Sequence, residues 1–442
     1  LNAYILTLGC PKNEYDSECL GGLLLAQGFV LVRTPEEADA IIVNTCGFIQ
    51  DAKKESIDAI FDMAKAKRPG AVLAVTGCLS QRYGAELFKE IPEAELILGV
   101  NDYERLPGLI RQALEGRRIL SLSPEGPLRE GVPGRNLDVV HTATLKIAEG
   151  CDNCCAYCVI PSIRGGYRSR RMEDLVAEAR MLASKGCREL ILIAQDVTAY
   201  GTDLYGESRL PALLKDLCAV PGLAWIRLMY CYEDRITDEL IRVMAEEPKI
   251  CPYLDIPLQH VSPRILSAMG RRSTPESIRG TLARLRKAIP DLAVRTTFIV
   301  GFPGETEEDF ELLRDFMEEQ DFERVGVFAY SREEGTPAAA MDHQVPESVS
   351  HRRKEQLMLD QLSRSRERNA ALIGRTLTVL VDRIEESDGE GGQELLACRT
   401  VWDAPEIDQE VLAAPKRTHQ TGDFLEVRIT DAFDYDLTGE EV

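Results

Sequence analysis

Positive charge, long apolar runs and histidine are all scarce in this 442-residue chain. Its 52 Lys and Arg are outnumbered by 73 Asp and Glu. A formal net charge of −21 argues against non-specific nucleic-acid binding, because a phosphate backbone is drawn to positive fields, and favours a basic partner instead. No apolar run approaches the ~18 residues that span a bilayer, so no membrane helix is expected. Histidines number five, which leaves little material for acid–base catalysis. Cysteine runs the other way: there are thirteen, an odd and generous number. Six of them fall into patterns that metal ligation explains better than disulfides, so a reducing, cytoplasmic setting is expected. The length predicts two or three domains, each able to bury a core.

The chain is organised around Cys151-Asp152-Asn153-Cys154-Cys155-Ala156-Tyr157-Cys158, which follows an apparent strand, Thr144 to Ala148, and Gly150. Its four cysteines group in two ways. Two abutting C-x-x-C pairs (151/154 and 155/158) would make a zinc site, whereas C-x-x-x-C-x-x-C (151/155/158) would hold an iron–sulfur cluster by three thiolates. The zinc grouping is sterically poor, because Cys154 and Cys155 are sequence neighbours whose Cβ atoms point apart. Three thiolates on a four-iron cube leave one iron open, as a reactive site requires, and make Cys154 a bystander.

Residues 1–117 repeat one pattern three times: an apolar run, a cysteine beside glycine, then an amphipathic stretch near 16–27, 51–67 and 80–90. The runs are Tyr4–Leu8 before Gly9-Cys10, Ala40–Val43 before Cys46-Gly47, and Val72–Val75 before Gly77-Cys78. Such alternation predicts a doubly wound parallel sheet, with Cys10, Cys46 and Cys78 converging at the carboxyl ends of its strands. Three separately buried thiols are the plainer alternative. Residues 118–136, with Ser123-Pro124-Glu125-Gly126-Pro127 and Val132-Pro133-Gly134, read as a linker within a loop-like stretch 116–140.

The segment 137–370 alternates again. Strands are expected near 144–148, 188–194, 224–229, 253–256, 294–300 and 323–328, with helices near 174–186, 209–219, 236–246, 275–288 and 306–319. Six such passes predict a partial (β/α)6 barrel with its chemistry at the strands' carboxyl ends, and the cysteine loop follows strand one. On the same rim fall Gln195-Asp196, Leu258-Gln259-His260 and the glycine turn Phe298 to Thr306, where Thr306, Glu308 and Asp309 can cap the next helix. An arginine-rich run, Ile163 to Arg171, could hold a cofactor, an acidic substrate or cluster sulfide, or be a solvated face. A basic helix over 349–370 reads as a mixed-charge surface helix rather than a phosphate site. Cys19, Cys187, Cys218, Cys231, Cys251 and Cys398 lack ligand spacing and read as packing residues.

Residues 371–442 change character to short β runs, Thr376–Val381 and Phe424–Ile429, separated by Asp388-Gly389-Glu390-Gly391-Gly392 and other loops, and predict a small antiparallel β-barrel. This tail carries 6 Lys and Arg against 17 Asp and Glu, a net −11, about half the chain's charge in a sixth of its length.

The 151/155/158 spacing, with aromatic Tyr157 before the last cysteine, resembles the radical S-adenosylmethionine (SAM) superfamily, whose members bind SAM on the open iron and cleave it to a deoxyadenosyl radical. The resemblance implies SAM contacts at Tyr157, Gln195, Gly301, Gly304 and Glu305. The whole chain resembles the methylthiotransferase family: it implies a second [4Fe–4S] cluster on Cys10, Cys46 and Cys78, involved in sulfur delivery, a radical SAM [4Fe–4S] cluster on Cys151, Cys155 and Cys158, and a TRAM domain in the tail that binds substrate. Gly9-Cys10-Pro11-Lys12-Asn13 with Asp16-Ser17-Glu18 resembles the ribosomal-protein branch, which modifies the β-carbon of an aspartate in the twelfth small-subunit ribosomal protein. The tRNA branch, which modifies an adenosine and usually has Gln-Met-Asn after the cysteine, is the alternative, and an acidic tail disfavours tRNA. A low-potential electron donor is implied as a further partner. In a different class, a ribosome-binding assembly factor with structural or redox-sensing clusters would show no SAM cleavage.

Overall fold

The computed structural model describes residues 1–126, 135–136, 141–386 and 394–442. The Val132-Pro133-Gly134 segment and the Asp388 to Gly392 turn lie outside the described residues.

The first module is an all-parallel sheet of Asn2–Thr7, Val30–Leu31, Ala40–Thr45, Val72–Gly77, Leu96–Leu98 and Ile119–Ser121. Their order in space is second, first, third, fourth, fifth, sixth. Ala40–Thr45 and Val72–Gly77 are buried at every position, as continuous apolar strands covered on both faces must be. The order reverses between the first and third strands, which opens a crevice at their carboxyl ends. Two of the three cysteines, Cys10 and Cys46, directly follow those strands. Two corrections apply to the expected layout. The strands Leu96–Leu98 and Ile119–Ser121 extend the sheet, the latter inside the stretch read as loop, because three residues carry too little periodicity to be seen. The first helix begins at Pro11 rather than near 16: Cys10 takes the cap position and Pro11 the first turn, where its missing N–H costs nothing.

In the second module Thr142–Lys146, Glu189–Ile193, Trp225–Leu228, Ile250–Asp255, Ala293–Val300 and Arg324–Ala329 lie side by side in chain order, all parallel. Among the described residues no pairing joins first strand to last, so the barrel is open. Leu190, Leu192, Leu228 and Leu254 pack outward with the covering helices, while Ile191, Ile193, Met229, Cys251 and Tyr253 face inward. The five expected helices are Met172–Ser184, Leu210–Cys218, Asp238–Glu246, Pro275–Ala288 and Glu307–Gln320, and Thr306 closes a capping box with Asp309 on the last. The basic helix runs Glu347–Ala370, and its arginines are largely paired, Arg353 with Glu305 and Arg368 with Glu323.

The tail is a closed barrel of Thr376–Glu386, Glu394–Thr400, Val411–Ala414, Phe424–Ala432 and Leu437–Glu441. It is antiparallel except between Val411–Ala414 and Leu437–Glu441, which run parallel. Directions cannot alternate all the way round a ring of five strands, so one parallel pair is unavoidable. This barrel plugs the amino-terminal end of the open one: Leu380, Val401, Trp402, Ala404 and Phe424 join Tyr15 and Cys19 against the inward-facing residues. Phe424 meets Trp225 edge-on at 4.9 Å. Asp403 pairs with Arg324 at 2.6 Å, and Tyr253 donates to Asp408 at 2.7 Å. No helix among the described residues is long and apolar enough to cross a membrane.

Candidate functional site

Three parallel strands deliver the first cysteine triad. A Cβ placed on Gly9 would stand 3.1 Å from Cys46 Sγ, and one on Gly47 2.8 Å from the Leu79 backbone, so Cys10, Cys46 and Cys78 gather at one edge. Gly77 makes the approach possible: its φ is 97° and a Cβ there would lie 2.3 Å from the Thr45 carbonyl. Asn13 anchors the crevice by donating to the Leu8 and Thr45 carbonyls, both at 2.9 Å. Burial pushes the Cys46 thiol up to about 11, with Cys78 and Cys10 adding to the rise. Burial also raises the Cys78 thiol, against the pull of Arg164. Metal would therefore displace protons on binding.

The second triad lies on a loop held at both ends by backbone. Cys151 N–H donates to Gly165 at 3.1 Å, Ala156 N–H to Met269 at 2.8 Å, and Ala338 N–H to Ala156 at 2.9 Å. Gly150, at φ 79°, lies so close to Gly166 that a Cβ would come within 2.1 Å of its carbonyl oxygen. Cys151 and Cys155 are buried and Cys158 half-buried, whereas Cys154 is exposed. Burial pushes Cys158 up to about 12, with Cys155 and Cys151 acting in the same direction and Lys12 against it. Tyr232 Oη lies 3.5 Å from Cys155 Sγ, and Arg271 stacks over the Tyr232 ring at 4.3 Å.

The two triads face each other across the domain junction. Cys78 packs against Val159 and Ile163, which directly follow the second triad. Arg164, at the end of the short helix Ile160–Arg164, donates to Cys78 Sγ at 3.2 Å, to Asn13 at 2.9 Å and to Asp16 at 2.6 Å. One arginine of the run thus reaches the first triad from the second module. Arg170 pairs with Glu178 at 2.7 Å and Arg168 donates to the Gly126 carbonyl, while Arg171 is solvated. A cavity of about 40 Å³ lies behind, lined by Asp16, Lys146, Glu149, Arg164 and Arg170 among others. Lys12 also lies between the triads. Burial lowers its ammonium pKa, with Cys10 and Asp255 opposing.

The five expected SAM contacts all lie at the rim, but they do not all turn toward the cavity. Tyr157 is half-buried beside Met269 and Phe302, and burial and then Cys155 raise its phenol. Gln195 donates to Glu149 at 2.8 Å, leaving Oε1 buried without a partner. Gly301 lies against Ser350 of the long helix, where a Cβ would come 1.9 Å from Oγ, whereas Gly304 would meet only Arg264 at 3.5 Å. The Glu305 carboxylate turns back into its own turn, accepting from the Gly301 and Phe302 N–H groups and pairing with Arg353 at 3.0 Å. Burial pushes it up to about 7, with Arg353 opposing. His260 Nδ1 accepts from the Val261 and Ser262 N–H groups, and burial lowers the ring to about 3. Gln259 Oε1 and Gln195 Oε1 are orphaned polar atoms at the rim, as a polar ligand there would require. Sequence reasoning did not single out Arg164, Lys12, Tyr232 or Arg271, whose roles depend on contacts between distant segments.

Among the described residues no three His, Cys, Asp or Glu side chains converge on a point that would suit one ion. A four-iron cube instead offers a separate iron to each thiolate, and two sets of three thiols fit that demand.

Residues 2–99 match the family described as uncharacterized protein family UPF0004, residues 145–317 the radical SAM superfamily and residues 373–442 the TRAM domain. Among solved structures, the radical SAM methyltransferase TsrM from Kitasatospora setae superposes with a TM-score of 0.57 at 16% identity over 76% of this chain and 73% of its own. The cobalamin-dependent SAM radical enzyme OxsB superposes at 0.55 and 13%, over 81% and 55%. Fold and thiol sets together define a radical SAM enzyme with an added cysteine-bearing domain and a TRAM domain. Ribosomal protein uS12 methylthiotransferase RimO from Geobacter sulfurreducens is 49% identical over 99% of this chain and 97% of its own. That from Lachnoclostridium phytofermentans is 47% identical over 99% of both chains. The chain belongs to the RimO family of methylthiotransferases.

Proposed function

We propose that this chain adds a methylthio group to the β-carbon of an aspartate in ribosomal protein uS12, the twelfth protein of the small subunit. The observation that carries the reading is the meeting of two thiol triads from two domains at one junction, bridged by Arg164. When bound, two [4Fe–4S] clusters and SAM supply sulfur delivery and a radical able to take hydrogen from an unactivated C–H, chemistry no side chain offers. Cys10, Cys46 and Cys78 hold one cluster and Cys151, Cys155 and Cys158 the other. Arg164 fixes the distance between the sites by binding Cys78 and Asn13 from the second module. Tyr157, Gln195 and Gly304 are SAM contacts at the rim, while Gly301 and Glu305 shape the turn that presents it. A low-potential donor reduces the enzyme in the cytoplasm.

The test is to incubate reconstituted enzyme, SAM and reductant with uS12 or tRNA and search by mass spectrometry for the methylthio mass. Modified uS12 is expected. Modified tRNA alone would transfer the chain to the other branch, and SAM left intact would return it to a structural or redox role.

The tail's charge bears on recruitment, with a refinement from the structure. Asp382, Asp403 and Asp408 turn inward, Asp382 and Asp403 against Arg399 and Arg324, so they neutralise the barrel rather than attract a partner. Asp434 is paired with Arg366. Glu426, Asp431 and Glu440 remain exposed. Changing these three to lysine is expected to weaken uS12 binding in low salt, with the loss shrinking as ionic strength rises and the Debye length falls to ~8 Å. An affinity unchanged in low salt would remove the tail from recruitment. Deleting the tail would confound the test, because it uncovers the inner face of the barrel.

A further inference from the structure

Lys12 is exceptional among the cations at the domain junction. Lys146 is paired with Asp16 at 2.6 Å and Glu149 at 2.7 Å, Arg164 with Asp16, and Arg170 with Glu178. Lys12 has no carboxylate within ion-pair distance among the described residues, although it is densely surrounded by protein and only partly exposed. The two carboxylates whose charge bears on it are engaged elsewhere. Asp255 accepts from Arg295 at 3.0 Å and from the Tyr230 N–H at 3.0 Å, and Glu149 is held by Lys146 and Gln195.

The ammonium is nonetheless placed. It stands 3.1 Å from the centroid of the Tyr230 ring, a cation–π seat that fixes its position without using up its N–H donors. Tyr230 is itself held in the left-handed region at φ 58°, a conformation that costs a non-glycine residue free energy and is maintained here by Asp255 and by its carbonyl, which accepts from Val197 N–H at 3.1 Å. Gln259, also left-handed at φ 71°, follows the adjacent strand Ile250–Asp255 on the same rim and leaves Oε1 unpartnered. Lys12 follows Cys10 by two residues, and its seat, Tyr230, is two residues from Tyr232, whose Oη lies 3.5 Å from Cys155 Sγ, so the ammonium stands between the two triads.

We propose that Lys12 is a specificity-determining residue: seated on Tyr230 between the triads, it receives the carboxylate of the substrate side chain and so selects an acidic residue for modification. A buried ammonium left with free donors discriminates strongly, because a neutral isostere leaves it uncompensated. This inference rests on the uS12 aspartate reading and can be separated from it. Two labelled peptides, one centred on the uS12 target aspartate and one with Asp→Asn there, are titrated into holoenzyme and into its Lys12→Gln variant, with fluorescence anisotropy as readout and iron measured in both. The native protein is expected to bind the aspartate peptide about tenfold or more tightly than the asparagine peptide. In the variant the preference should collapse to about twofold or less, with unchanged iron. A preference undiminished in the variant, or absent from the native protein, overturns the inference, as does loss of iron from the variant, which would make Lys12 a support of the clusters. Methylthio mass on the aspartate peptide with native enzyme reports separately on the function, so the two failures are distinct.

Discussion

Replacing Cys151, Cys155 and Cys158 together by alanine is expected to abolish SAM cleavage while leaving about four irons per chain. The triads are built by different segments. Cys10, Cys46 and Cys78 depend on the first sheet, on Gly77 and on Asn13, all of which fold without the loop. The loop depends on backbone bonds to Gly165, Met269 and Ala338. None of these bonds uses a cysteine side chain, so the substitutions should remove the ligands and keep the frame. Arg164 bonds across the junction between the two, and its bond to Cys78 does not depend on the loop thiols. The converse variant, with Cys10, Cys46 and Cys78 changed to alanine, should still cleave SAM but leave uS12 unmodified. Cys154→Ala serves as control: its thiol is exposed and lies 3.8 Å from the Asp152 carbonyl, outside the triad, so iron and cleavage should persist. Iron content and deoxyadenosine formation decide the matter. Complete loss of iron from the loop variant, or continued cleavage by it, would end the assignment of two independent sites.

What the sequence makes legible follows from how local each signal is. The three cysteines after apolar runs, and the loop after the first barrel strand, are readable because strand, turn and ligand follow one another directly in the chain, and the rule that chemistry sits at carboxyl strand ends does the rest. The strand Leu96–Leu98 is too short to carry a pattern. Arg164 is lost in a run of arginines because its partner Cys78 is 86 residues away. Glu305 is a candidate by its place in the glycine turn, yet the pairing with Arg353, on a helix 48 residues later, turns its carboxylate inward. The tail's net charge is visible at once, but the sign alone cannot tell an acid that faces solvent from one that neutralises a buried arginine.

The second large effect is expected at such an acid. Glu189→Met should destabilise the fold by about 3–5 kcal/mol, because it removes the shared carboxylate of a buried ionic cluster, leaving Arg227 without a counter-charge and Arg399 with Asp382 alone. Glu189, Arg227 and Arg399 are at most 1% exposed. Arg227 Nε meets the carboxylate at 2.8 Å and Arg399 Nη2 at 2.6 Å, while Thr142 adds a hydroxyl at 3.2 Å. The carboxylate thereby joins three barrel strands to the tail, whose Arg399 also holds Asp382 and, through it, His141. Burial alone would raise the Glu189 carboxyl, but Arg399 and Arg227 outweigh it and hold it below the ordinary value of 4.5. Since the folded pKa is the lower one, this stabilisation is complete above pH 4.5 and is lost as pH falls through the folded value. The gap between native protein and variant in denaturant midpoint should therefore be wide at neutral pH and narrow in acid. Changing Arg227 to methionine as well should recover much of the loss, because that buried pair then disappears together while Arg399 keeps Asp382. Equal midpoints for native protein and Glu189→Met at neutral pH would show that the cluster does not hold the tail to the barrel.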